Sequence, residues 1–262
     1  MPVRFALGAT FAALAWWFAT GAILYLDGLP RRTYARSMIV ATVVLAAALA
    51  GISASAGEQS VAAAVCAFAC AIAVWGWVEL SFLTGFLTGP RRAGCARGCS
   101  GWRHAWHATE AILHHELAIA GLGGVLWLIT RGQPNTVALT AYSVLWVMRL
   151  SAKLNLFLGV RNLGESFLPE HLAYLGSFLR RRPMNPLFPV SVAGGALAAL
   201  AIGRRAFVPG ASAFDVTAAG LIASLLTLAV IEHAFMMLPV TLDALWGWGF
   251  RSRVAAAVRP RV

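Results

Sequence analysis

Apolar runs of roughly twenty residues recur along the whole of this 262-residue chain, a pattern that fits membrane spans and not a soluble core. They cover 5–26, 37–56, 61–86, 105–129, 136–159, 187–207 and 214–240. Each is long enough, at about 1.5 Å per helical residue, to cross a hydrocarbon layer about 30 Å thick. Lipid offers no partner to a backbone amide, so each run must close its own hydrogen bonds as a helix. The expectation is an all-α polytopic membrane helix bundle of about seven transmembrane helices, a single integral membrane domain over 1–262. Composition agrees: 60% of the residues are hydrophobic and 12% charged, against about a quarter charged in soluble domains. The run 5–26 is too long for a signal-peptide core and carries Trp16 and Trp17, so it reads as a span. The sixth run is the weakest, rich in Ala and Gly and stopped by Arg204 and Arg205.

The net charge of +11 is almost all arginine, with Lys153 the single lysine. The arginines fall in short clusters between apolar runs, which points to topology and contact with membrane lipid and away from nucleic acid. The segments after runs 1, 3 and 5 and the C-terminal tail carry Arg31, Arg32, Arg36, Arg91, Arg92, Arg97, Arg103, Arg161, Arg180, Arg181, Arg182, Arg251, Arg253, Arg259 and Arg261. The opposite side carries Arg4, Arg131, Arg204 and Arg205. The positive-inside rule then places the N-terminus in the periplasm and the C-terminus in the cytoplasm.

The connection 160–186 is longer than a plain loop. Pro169 and Glu170 suit a helix start, Leu172, Leu175, Phe178 and Leu179 share a face, and Arg180 to Arg182 follow. Segment 165–183 therefore reads as amphipathic and interfacial.

Charge inside the runs is the main functional clue. Glu79, Glu110, Glu116, Glu232, His107, His114, His115 and His233 all lie within them, as do Arg149, Lys153 and Asn155. A charge at bilayer depth costs about 2.5–3.5 kcal/mol even on lenient scales, so such groups are either paired or in use. The alternating topology puts most of them in the cytoplasmic half. His107, Glu110 and His114, spaced i, i+3, i+7, line one helix face, whereas Glu116 points nearly the opposite way. Three readings stay open. Glu79, His107, Glu110, His114, His115, Glu232 and His233 can supply a metal site for iron, manganese or zinc, as carboxylate–histidine bundles do, with Arg149, Lys153 and Asn155 around it. The same carboxylates can instead be neutralised by Arg149, Lys153 and protonated His. Or a neutral His can hold the magnesium of a chlorophyll-type pigment. The Glu-x-x-His spacing of di-iron bundles and the His boxes of membrane desaturases are both missing.

Cys66 and Cys70 share a helix face and read as small packing residues. Cys95 and Cys99 with His104 and His107 resemble a compressed zinc knuckle, and their position inside the cell does not favour a disulfide. Trp102, Trp106, Trp246 and Trp248 read as interface anchors. No P-loop, G-x-G-x-x-G or G-x-S-x-G motif occurs.

Two stretches carry a family resemblance: His107-Ala-Thr-Glu-Ala-Ile-Leu-His-His-Glu-Leu117, and the run from Lys153-Leu-Asn-Leu-Phe-Leu-Gly-Val-Arg-Asn162 through Phe167-Leu-Pro-Glu-His-Leu172 to Arg180-Arg-Arg-Pro-Met-Asn-Pro-Leu-Phe-Pro189. With the length and span count they resemble the PuhE family, photosynthetic complex assembly protein 2 of purple phototrophic bacteria. The resemblance implies residence in the bacterial inner (intracytoplasmic) membrane. It also implies a role in assembling the reaction centre and light-harvesting complex or in supplying its bacteriochlorophyll, with complex subunits or pigment-synthesis proteins as partners. The Cys95/Cys99 loop is outside the family pattern. The alternative of a different class is a membrane metalloenzyme acting on a pigment or lipid. A transporter ranks last, since no inverted repeat or broken span is visible.

Overall fold

The computed structural model describes residues 1–96, 98–238 and 245–253. Arg97, Arg259, Arg261 and the expected end of the seventh span at Pro239 and Val240 lie outside the described residues. Seven helices long and apolar enough to cross a membrane are present among them, and no strand is. They are α1 (Pro2–Asp27), α2 (Tyr34–Ser55), α3 (Val61–Leu83), α4 (Gly101–Thr130), α5 (Val137–Leu158), α6 (Leu187–Arg205) and α7 (Ala213–Phe235).

Local sequence sets most boundaries. Ser60 caps α3 by accepting the Ala63 amide, and Ser212 with Asp215 forms a capping box at α7. Asn185 Oδ1 accepts the amides of Leu187 and Phe188 and so starts α6. The seventh helix stops at Phe235, earlier than its apolar run, because Met236 and Met237 turn their amides back onto His233 and Ala234.

α7 is the most enclosed helix and packs against α1, α3, α5 and α6. Without a hydrophobic drive between helices in lipid, small residues decide where backbones meet. A Cβ on Gly220 would fall 2.5 Å from the Phe5 carbonyl, and one on Gly8 2.9 Å from that of Thr217. Ser224 Oγ donates to the Ala9 carbonyl in the same seam at 3.0 Å. At one end Asn135 ties the α2–α3 and α4–α5 connections together, donating from Nδ2 to the carbonyls of Ser55 and Ala63 and accepting the Val137 amide.

The other, arginine-rich end carries more structure. The connection 160–186 holds two 3₁₀ pieces, Glu165–Phe167 and Glu170–Phe178. The second puts Leu172, Leu175 and Phe178 on one buried edge, and their spacing of three is the 3₁₀ period. That edge lies on Phe82, Leu83 and Ala111 of α3 and α4, so the apolar face of the segment covers protein. Leu245–Arg253 folds back on α1. Trp246, expected as an anchor, is buried there, its indole donating to the Trp17 carbonyl at 2.9 Å.

Candidate functional site

The intramembrane charges gather where α3, α4, α5 and α7 meet, in the half nearer the arginine-rich end. Glu79 is buried, and its Oε2 accepts from Arg149 at 2.9 Å. Lys153, one turn further along α5, reaches Glu116 Oε1 at 2.5 Å. These two pairs cross from α5 to α3 and to α4, so the cations of α5 act as clamps between helices.

The remaining groups surround this pair of bridges. His115 is fully buried with its ring 4.4 Å from that of Phe82, and it lies in the electrostatic field of Glu79, Lys153 and Arg149. Neither of its ring nitrogens, nor Glu79 Oε1, has a hydrogen-bond partner among the described residues. The belt therefore holds unused polar capacity, which buried groups of native proteins seldom leave. Glu232 opens onto the flank of the bundle beside the Trp16 indole, with Arg149 as its nearest cationic influence. Arg149 is itself about half exposed on that flank. A lateral opening of carboxylate and guanidinium thus interrupts an otherwise apolar surface.

His233 is committed elsewhere. Its Nδ1 lies 2.8 Å from the Ala229 carbonyl and its Nε2 2.9 Å from Ser151 Oγ. Donation from Nδ1–H to the carbonyl leaves Nε2 to accept the serine proton, the neutral form. Asn155 is buried and joins α5 to α6 through Ser191 Oγ at 3.0 Å and to the Asn185 amide at 3.1 Å. Glu110 stands near the α4 start with Arg91 at 3.9 Å.

α4 has 30 residues, about 45 Å at the helical rise and so longer than the hydrocarbon layer. Its first turns carry His104 and His107. His107 packs against Cys95 and Cys99. His114 is exposed on the outer face of α4, within bilayer depth. The seven residues expected as metal ligands therefore occupy separate positions: Glu79 and His115 in the belt, Glu232 on its flank, His233 on Ser151, His114 outward, and Glu110 and His107 near the helix start. Arg149 and Lys153 are the cations that hold the belt together.

Three features escaped sequence reading. Glu116, set apart by its helical phase, is reached by the long Lys153 stem. Asp27, at the end of α1, is buried and takes Arg253 Nη2 at 2.9 Å, across a separation of 226 positions. The third is the segment 84–92 pressed on α4. The His115 amide donates to the Thr88 carbonyl at 3.0 Å, and a Cβ on Gly89 would meet the Glu110 carbonyl. The glycine was the only available signal for that contact. The Cys95 and Cys99 sulfurs lie in contact with one another, their Cα atoms 6.1 Å apart.

A mouth about 520 Å³ in volume opens beside this end, lined by Arg31, Tyr34, Thr88, Arg92, His171 and Tyr174. Burial, aided by Arg31, holds the His171 imidazole below its usual range, and burial raises the Tyr174 phenol.

Comparison with known proteins gives two matches. A family model described as "Protein of unknown function (DUF3623)" matches residues 3–257. A relative from Rhodobacter capsulatus, "Uncharacterized 30.4 kDa protein in puhA 5'region", is 36% identical over 248 residues, covering 92% of this chain and 89% of the relative. No solved structure matches.

Proposed function

We propose, from the premise that this chain belongs to the DUF3623 family, that it is an integral membrane factor serving assembly of a photosynthetic reaction-centre and light-harvesting complex, or its bacteriochlorophyll supply. The observation that carries the reading is the relative in the puhA 5' region of a photosynthetic bacterium. The sequence resemblance to photosynthetic assembly proteins points the same way.

The geometry supports a binding role over a catalytic one. The belt carboxylates are taken up by cations: Glu79 by Arg149 and Glu116 by Lys153. A metalloenzyme built on Glu79, His107, Glu110, His114, His115, Glu232 and His233 would require Glu79 to leave Arg149 and His233 to leave Ser151. What remains open is the outer surface. Glu232 and Arg149 face the bilayer laterally, and His114 is the imidazole of the spans exposed at bilayer depth. Polar groups on such a surface are costly unless a membrane partner covers them. His114 is placed to meet the magnesium of a bacteriochlorophyll, while Glu232 and Arg149 suit the polar side chains of a partner helix. In this account the N-terminus is periplasmic, the C-terminus cytoplasmic, and the arginine-rich end meets anionic lipid of the bacterial inner membrane.

The test is affinity purification of the full chain in mild detergent from a phototrophic host, with spectra and identification of the co-purifying polypeptides. Reaction-centre or antenna subunits, or a near-infrared pigment band lost in His114→Ala, are expected. A colourless protein free of such subunits would overturn the reading.

A further inference from the structure

Apart from the ion-paired belt, the arginine-rich end gathers a second kind of chemistry. We propose that Cys95, Cys99 and His107 form a site for a zinc-type divalent cation that pins the segment after α3 to the first turns of α4, with His104 packed beside it on Cys95. The inference stands on these side chains alone and is independent of the assembly role.

Geometry carries it. His107 Nδ1 lies 3.5 Å from Cys95 Sγ and 3.4 Å from Cys99 Sγ. His104 Nδ1 lies 3.3 Å from Cys95 Sγ. Ligand atoms of Cys95, Cys99 and His107 all fall within 4.8 Å of one another, the one such trio of metal-ligating residues among the described residues. Zinc bonds of about 2.3 Å to sulfur and about 2.0–2.1 Å to nitrogen, opened at tetrahedral angles, give a sulfur–nitrogen edge of about 3.5 Å. The two His107 separations match that edge.

The chain is shaped to present these atoms. His104 and His107 are spaced i, i+3, so they share a face of α4. Gly98 and Gly101 adopt positive φ (+79° and +61°), which lets the cysteine segment turn back over that face. The Cys95 amide donates to Ser177 Oγ at 2.9 Å, anchoring the segment on the 3₁₀ helix. The His104 ring is wedged between Phe157 and Phe178, at 5.4 and 5.8 Å between centroids, and so has a fixed orientation. A disulfide sulfur is a weak acceptor that gives two imidazole nitrogens little reason to converge on it. Two thiolates around a cation give them one. Two cysteines and a histidine suit zinc or another borderline cation, whereas calcium and magnesium call for oxygen. Binding releases one proton from each thiol, and the His107 imidazole coordinates in neutral form.

The test is metal analysis of the full chain, purified in detergent without chelator and loaded with zinc or cobalt alone under reducing conditions. Stoichiometric zinc is expected, with a thiolate-to-cobalt charge-transfer band after exchange. Cys99→Ser and His107→Ala should lose the metal, and Glu110→Gln should keep it. Cys95 and Cys99 recovered as a disulfide from the reduced, zinc-loaded wild type would overturn the proposal. So would metal that survives Cys99→Ser or leaves with Glu110→Gln. Should the variants fail to fold, the wild-type cobalt spectrum decides, and a spectrum without the thiolate band refutes the site.

Discussion

Replacing Arg149 by Met tests whether the belt is an ion-paired framework. The substitution keeps the length and apolar volume of the stem and removes only the guanidinium. Glu79 is then left buried with neither oxygen partnered, since Oε1 lacks a partner already and Oε2 loses its 2.9 Å bond. Stripping one partner from a buried pair costs about 3–5 kcal/mol, whereas an exposed pair is worth about 0–1 kcal/mol. Glu79 belongs to the first case, with a side chain 8% exposed, and Arg149, at 45%, falls between the two. The expected loss is therefore about 2–3 kcal/mol. For a chain of this size that lowers the unfolding temperature by about 4–12 °C. Adding Glu79→Gln to Arg149→Met should recover most of the loss, because removing both charges is far less costly than orphaning one. The assay is thermal unfolding in one detergent of the wild type, both single variants and the double. An Arg149→Met protein as stable as wild type would refute the reasoning. So would a double variant whose loss equals the sum of the two single losses, since the cycle would then show no coupling.

Three further outcomes follow from the same geometry. Gly89→Ala should lower stability or expression sharply, because its Cβ would collide with the Glu110 carbonyl; unchanged melting would show that segment 84–92 is not seated on α4. Asp27→Asn should free Leu245–Arg253 from α1 and speed its cleavage in limited proteolysis, with no change if Asp27 does not hold Arg253. Acidification provides the third. The His171 imidazole is held below its usual range by burial and then by Arg31, so the unfolded chain binds its proton first. Stability carried by His171 is full above the unfolded value near 6.5 and falls as pH drops through it towards the lower folded value. His171→Gln should flatten that part of the stability–pH curve, and an identical slope in the variant would contradict the assignment.

The spans were legible because length and hydropathy act alone in lipid: twenty apolar residues have one way to satisfy their backbone. The ends were less so. Phe235 ends α7 early, through turns that composition does not mark, and the spacing of Leu172, Leu175 and Phe178 fits a 3₁₀ edge as readily as an α-helical face. The intramembrane charges could be located along the chain but not paired. Helical phase alone set Glu116 apart, and only the long Lys153 side chain brings it in. The Asp27–Arg253 tie joins opposite ends of the chain and leaves no periodic trace. The Cys95–Cys99–His104–His107 grouping was visible as composition, and its convergence depends on where the loop glycines turn.

The role proposed for this membrane bundle is in the build-up of the photosynthetic complex. The most direct measurement is the near-infrared absorption of membranes from a phototrophic host lacking this chain, with and without the gene restored. A lowered complex band that the wild-type gene restores is the predicted result. Membranes with an unchanged spectrum and an undiminished complex content would contradict it.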